Sequence, residues 1–214
     1  MGRATYMLAA VGLVAVAWWY VRDNGATPDD GDNVSFDPLE SVAQAVDNIT
    51  GGALKLSAMA QVTDDDVQDL NVQAFLRVVR RGEGTSDAGG YARLYGGGKF
   101  TSFADHPRQK VTAGRYTSTA AGAYQAKQST WDETAKLMGL QDFSPWSQDK
   151  FAVGRIAARG ALDDVRAGRF ADAVAKCALE WASLPGSPYG QPTISMDTAR
   201  DVYAGAGGVE TGTA

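Results

Sequence analysis

One stretch of this 214-residue chain gathers residues able to do chemistry: "RRGEGTSDAGGYARLYGGGKFTSFADHPR", Arg80 to Arg108. Glu83 stands between two glycines where a helical pattern ends, and a glycine- and aromatic-rich stretch with hairpin character follows. A carboxyl group at such a seam can sit partly desolvated in a cleft. Burial disfavours its charged form and raises its pKa, which makes it a usable general acid near neutral pH. Cleavage of a glycosidic bond needs such an acid on the leaving oxygen, and usually a second carboxylate as nucleophile or as base for water. Asp87 and Asp105 are candidates for that second group. From spacing alone, a solvated glutamate at a helix end is the simpler reading of Glu83.

The elements that must position Glu83 follow from periodicity and caps. "TDDD" from Thr63 is a good helix start, with acids facing the positive end of the helix dipole. Val67, Leu70, Ala74 and Val78 form an apolar stripe that ends near Arg81-Gly82. Gly89 to Phe103, with Tyr91, Leu94, Tyr95, Phe100 and Phe103 among several glycines, predicts a small twisted hairpin. The remainder predicts helices over Lys127–Met138, Pro145–Arg159, Leu162–Ala167, Phe170–Ser183 and Ser195–Ala204, most of them bounded by Gly or Pro. The expected fold class is α+β: mostly helical, with a small hairpin after the first helix. Trp131, Trp146 and Trp181 sit in helical patterns and read as core.

Charge narrows the function. Nine acidic residues stand against three basic ones before Asp66, and sixteen against seventeen from there on. The domain is thus nearly neutral, which argues against nucleic acid as a partner. Cys177 is the only cysteine, so no disulfide forms within the chain, and its helical setting predicts a buried, inert thiol. His106 is the only histidine and has no ligand cluster around it, so neither a metal nor an organic cofactor is expected.

Ala4 to Val21, "ATYMLAAVGLVAVAWWYV", is eighteen residues without a charge. At about 1.5 Å per residue a helix of that length just spans a bilayer core. Trp18, Trp19 and Tyr20 at one end suit an interfacial belt, and Arg22 is soon outnumbered by Asp23, Asp29, Asp30 and Asp32. Residues 1–21 are therefore expected to be an uncleaved signal anchor with a cytoplasmic N-terminus. A cleaved signal peptide is the rival, weakened by the bulky Trp-Trp-Tyr-Val where small residues belong. Residues 22–63 read as an acidic flexible linker with one short helix near Pro38–Asn48, residues 64–208 as the main domain, and 209–214 as a disordered tail.

Six ordered blocks change the reading of Glu83: "GEGTSDAGGY", "GGGKFTSFADHPR", "STAAGAYQ", "MGLQDFSPWSQD", "RGAL" and "WASLPGSPYGQ". Together, over about Phe75 to Gly208, they resemble the lambda-type phage endolysins. The resemblance implies a lysozyme-like fold and a lytic transglycosylase acting on peptidoglycan glycan strands, with Glu83 as sole acid/base. It would protonate the leaving oxygen, then deprotonate the C6 hydroxyl of N-acetylmuramic acid, which closes a 1,6-anhydro ring without water. Hydrolytic phage lysozymes space their residues as Glu-x8-Asp-x5-Thr; counted from Glu83 those positions are Ala92 and Gly98, so that machinery is absent. "GAYQ" resembles the Gly-x-x-Gln element of such enzymes, which implies Gly122 and Gln125 at the substrate, with Tyr124 packed against either a sugar ring or the core. Asp105, on the loop bordering the implied cleft, and Tyr189 and Gln191, in "SLPGSPYGQ", are further candidate wall residues. The alternatives are a hydrolase using Glu83 with Asp87 or Asp105, and a glycan-binding module of a virion without activity. The anchor, outside the resemblance, implies a catalytic domain on the cell-wall side of a membrane, with other virion or membrane proteins as further possible partners.

Overall fold

In the computed structural model, the described residues are 56–212 apart from 115 and 191. The expected membrane anchor and the Pro38–Asn48 helix lie outside them. Among the described residues no helix is long and apolar enough to cross a membrane.

The folded part reaches further back than the expected linker boundary at 63. A short helix α1 (Leu56–Met59) buries Met59 completely. Thr63 then caps α2 (Asp64–Gln68): its hydroxyl accepts from the Asp66 N–H, and the Asp66 carboxylate accepts from the Thr63 N–H at 2.9 Å, a reciprocal capping box. The expected continuous stripe breaks at Asp69, whose extended backbone stops α2 and whose carboxylate caps α3 (Leu70–Gly82) through Val72 N–H. The break rotates Leu70 outward to 78% exposure, against its expected place in the core. Val72, Ala74, Phe75, Leu76, Val78 and Val79 supply the buried face instead.

The Gly89–Phe103 hairpin is not formed as expected. Gly96 and Gly97 adopt φ of 81° and 88°, and the segment coils through two 3-10 turns, Gly90–Ala92 and Tyr95–Gly97, with isolated bridges from Arg93 to Lys99 and from Leu94 to Ala121 in place of strands. These glycines supply tight turns but no side chains to build a sheet face. The hairpin comes one block later, where β1 (Val111–Ala113) pairs antiparallel with β2 (Tyr116–Ser118). Here one β-branched pair meets across the strands, Thr112 opposite Thr117.

The helical remainder follows the caps. Helix α4 (Gln128–Met138) ends at Gly139, and α5 (Pro145–Ala158) starts from a Ser144 cap with Pro145 in its first turn. Short α6 (Leu162–Arg166) leads to α7 (Phe170–Cys177), and α8 (Met196–Gly205) is capped by Ser195. Helix α7 stops six residues before its expected end at Ser183, because the chain turns there to bring Glu180 onto two arginines of the α5 end. Helices α5, α6 and α8 pack against α3, where Phe75 meets Phe170 edge to face and Phe170 in turn packs on Tyr203. Cys177 is fully buried, and burial pushes its thiol pKa far up, so it is inert as expected. Trp131 and Trp181 are core residues, whereas Trp146 is 41% exposed. The tail is docked rather than disordered through Thr211: Val209 N–H donates to Asn71, and Thr211 donates to the carbonyls of Gly168 and Ala167.

Candidate active site around Glu83

Glu83 is the C-cap of α3: its N–H still donates to Val79 O at 2.9 Å, while its side chain leaves the helix. The residue is half-buried. Its Oε1 accepts a 2.7 Å hydrogen bond from Ser183 Oγ, which among the described residues is the carboxyl's one hydrogen-bond partner. Desolvation pushes the Glu83 pKa from 4.5 up to about 7, against the opposing pull of the Ser183 hydroxyl. A carboxyl group held in this way is half-protonated near neutrality, as a general acid should be.

Three sequence blocks converge on this residue. Thr85, fully buried, donates to Ala123 O at 2.5 Å and so joins "GEGT" to "GAYQ". Trp181 Nε1 donates to Tyr124 O at 3.4 Å and Ser183 donates to Glu83, which brings "WASLP" against both. Gly82 allows this approach: a Cβ there would lie 2.5 Å from Ser183 Oγ. Arg80 holds the turn from behind, donating to Thr85 O and Asp87 O and lying over the Tyr91 ring at 4.5 Å.

The implied substrate residues divide. Gln125 is half-buried with φ of 46°, a left-handed conformation uncommon outside glycine. Its Nε2 donates to Gly122 O at 3.0 Å, leaving Oε1 as an acceptor. Tyr124 belongs to the core rather than to a sugar wall: it is 3% exposed, and its hydroxyl donates to Asp149 Oδ1 at 2.6 Å. Gly122 is closely packed: a Cβ there would meet Gln148 Oε1 at 2.3 Å and Phe143 at 2.9 Å. Tyr189 is half-buried and donates its hydroxyl to Leu179 O at 3.0 Å, and Gln191 lies outside the described residues.

Neither expected second carboxylate faces Glu83 by a hydrogen bond. Asp87 is exposed and pairs with Gly89 N–H and Arg93; the Gly89 bond, more than the nearby cations, holds its pKa below the usual range. Asp105 is exposed and accepts from His106 N–H, Arg108 and Trp131 Nε1. Slight burial works to raise its pKa, but these donors prevail and hold it low. Arg108 also forks onto Asp132, so this carboxylate belongs to a loop brace. His106 is likewise structural: Nε2 donates to Ala126 O and Nδ1 accepts from Arg108 N–H, which fixes the neutral ring, and burial lowers its pKa.

Two groups escaped sequence reasoning. Ser183 is 100 residues from Glu83, and no local pattern marks such a pair. Asp149 accepts from both Tyr91 and Tyr124, with its pKa raised by burial against those two bonds. It sits inside the quoted "SPWSQD" block, but its partners come from two other blocks.

The endolysin family model matches residues 73–210. The endolysin of Escherichia phage lambda is 41% identical over 143 residues, covering 64% of this chain and 90% of the relative. That of Escherichia phage P2 is 42% identical over 155 residues, covering 65% and 94%. The solved structure of bacteriophage lambda lysozyme complexed with a chitohexasaccharide superposes with a TM-score of 0.63 at 38% identity, over 66% of this chain and 97% of that one. Together with the arrangement around Glu83, these matches establish that the chain belongs to the endolysin family, the phage enzymes that degrade the bacterial cell wall.

Proposed function

We propose that this endolysin is a lytic transglycosylase with Glu83 as its single acid/base. The observation that carries the reading is the setting of Glu83: a desolvated carboxyl near pKa 7 whose one hydrogen-bond partner among the described residues is a neutral hydroxyl, while Asp87 and Asp105 are committed to cations elsewhere. Protonated Glu83 gives its proton to the O4 leaving oxygen of N-acetylglucosamine as the bond from C1 of N-acetylmuramic acid breaks. The resulting carboxylate takes the proton of the C6 hydroxyl, whose oxygen bonds to C1. The proton returns to Glu83, the ring closes as the 1,6-anhydro form, and no water is consumed. Gln125 Oε1, held at a strained turn, is the group we assign to the sugar's hydroxyl or acetamido donors. A hexasaccharide in the related lambda lysozyme supports an elongated glycan as the substrate.

Substitution separates this reading from hydrolysis. D87N and D105N should each lower turnover of peptidoglycan strands by less than about tenfold, since neither carboxylate takes part in the chemistry. A loss from either that matched the loss of Glu83 would move the mechanism to a two-carboxylate hydrolase. We further propose that Ala4–Val21 anchors the enzyme in a membrane with its catalytic domain on the cell-wall side. The eighteen uncharged residues and their aromatic end support this, and recovery of the full chain in the soluble fraction after alkaline extraction of membranes would refute it.

A further inference from the structure

We propose that Ser183 is a positioning residue that decides which oxygen of Glu83 carries the catalytic proton. The inference rests on the assignment of Glu83 as acid/base. Ser183 is 1% exposed, and its hydroxyl has one proton to donate. That proton is directed to Glu83 Oε1 at 2.7 Å. Neutral Glu83 therefore carries its own proton on Oε2, the oxygen with no partner among the described residues. Oε2 is then the atom that protonates the leaving oxygen and later accepts from the C6 hydroxyl. Ser183 remains a donor to Oε1 through both halves. Its bond becomes charge-assisted at the moment the carboxylate forms, and so favours that form when the leaving group departs.

The serine is held for this purpose from several sides. Its backbone carbonyl accepts from Ile194 N–H at 3.0 Å, and its hydroxyl rests against Gly82, where any Cβ would collide with it. Two residues earlier Trp181 is tied to Tyr124 O, and three residues earlier Glu180 is held by Arg155 and Arg159. The rotamer freedom of Ser183 is thus spent before substrate arrives, the condition for an orienting hydrogen bond to act.

The test measures the pH dependence of turnover in the full chain, on soluble uncrosslinked peptidoglycan strands, for wild type, S183A, S183C and E83Q. Cysteine keeps the shape of serine but donates weakly, so it isolates the hydrogen bond from packing. Both serine variants should lose about ten- to a hundredfold in kcat with KM little changed, the effect of one hydrogen bond to a charged group. Their alkaline limb should also move up by about one pH unit, because the group favouring the carboxylate has gone. A limb that superposes on wild type in a folded S183C overturns the proposal. If E83Q itself retains turnover, the assignment of Glu83 fails first; if E83Q is inactive and S183C keeps the wild-type limb, only the role of Ser183 fails.

Discussion

Replacing Glu83 by Gln should lower the release of peptidoglycan fragments by at least about a hundredfold and as much as ten-thousandfold, the range for loss of a general acid/base. The amide keeps the shape of the carboxyl and an oxygen for Ser183 to donate to, so the fold should survive. Stability should in fact rise in a defined pH window. Glu83 ionises at about 7 in the folded chain against 4.5 ordinarily, so the folded state binds the proton more tightly. Stability is fully present below pH 4.5 and is lost as pH rises through 7. E83Q escapes that loss and should be more stable than wild type at pH 8, on the order of 2 kcal/mol, with no advantage at pH 4. Turnover of wild type should fall as pH rises above about 7, when the acid is no longer protonated. The proposed mechanism has no second carboxylate that must be ionised, so no acidic limb should appear near neutrality. Turnover retained by E83Q, or its destabilisation at pH 8, would contradict the role and the environment assigned to this group.

The second large effect is structural. The Glu180 side chain is only 10% exposed and accepts from Arg155 Nε at 2.7 Å, Arg155 Nη2 at 3.0 Å and Arg159 Nε at 2.9 Å. Burial alone would raise its pKa, but the two guanidiniums override it and hold the carboxyl below its usual value. E180A leaves two cations facing one another in the interior, and should destabilise the fold by about 3–5 kcal/mol. Urea unfolding at pH 7 measures this, and a change below about 1 kcal/mol would contradict the bridge. Since the depressed pKa stabilises the fold above the ordinary carboxylate range, part of this difference should vanish as pH falls below about 4. The loop from Ala178 to Tyr189 hangs on Glu180, so turnover should drop further than the unfolded fraction explains.

The sequence made some of this legible and hid the rest for physical reasons. Helix ends are local events, and the acids after Thr63, Pro145 and Gly139 announced theirs. Glu83 was legible because "GEGT" closes a helix within an ordered set of blocks. Leu70 misled because a helical stripe says nothing of a chain break made by the backbone of its neighbour Asp69. The glycines before Phe100 promised a hairpin but built 3-10 turns, and the hairpin itself, with Thr112 opposite Thr117, lay after Lys110. Tyr124 stood in a motif implied to touch substrate, yet Asp149, twenty-five residues on, draws its hydroxyl into the core. Ser183 needed the tertiary fold to be seen at all.

Whether one carboxyl group acts without water is decided by product masses. Purified peptidoglycan digested by the full chain should release muropeptides lighter than the hydrolysis products by one water, each ending in a 1,6-anhydro ring. Products with a free reducing end at N-acetylmuramic acid would mean that water attacks, and would contradict the account.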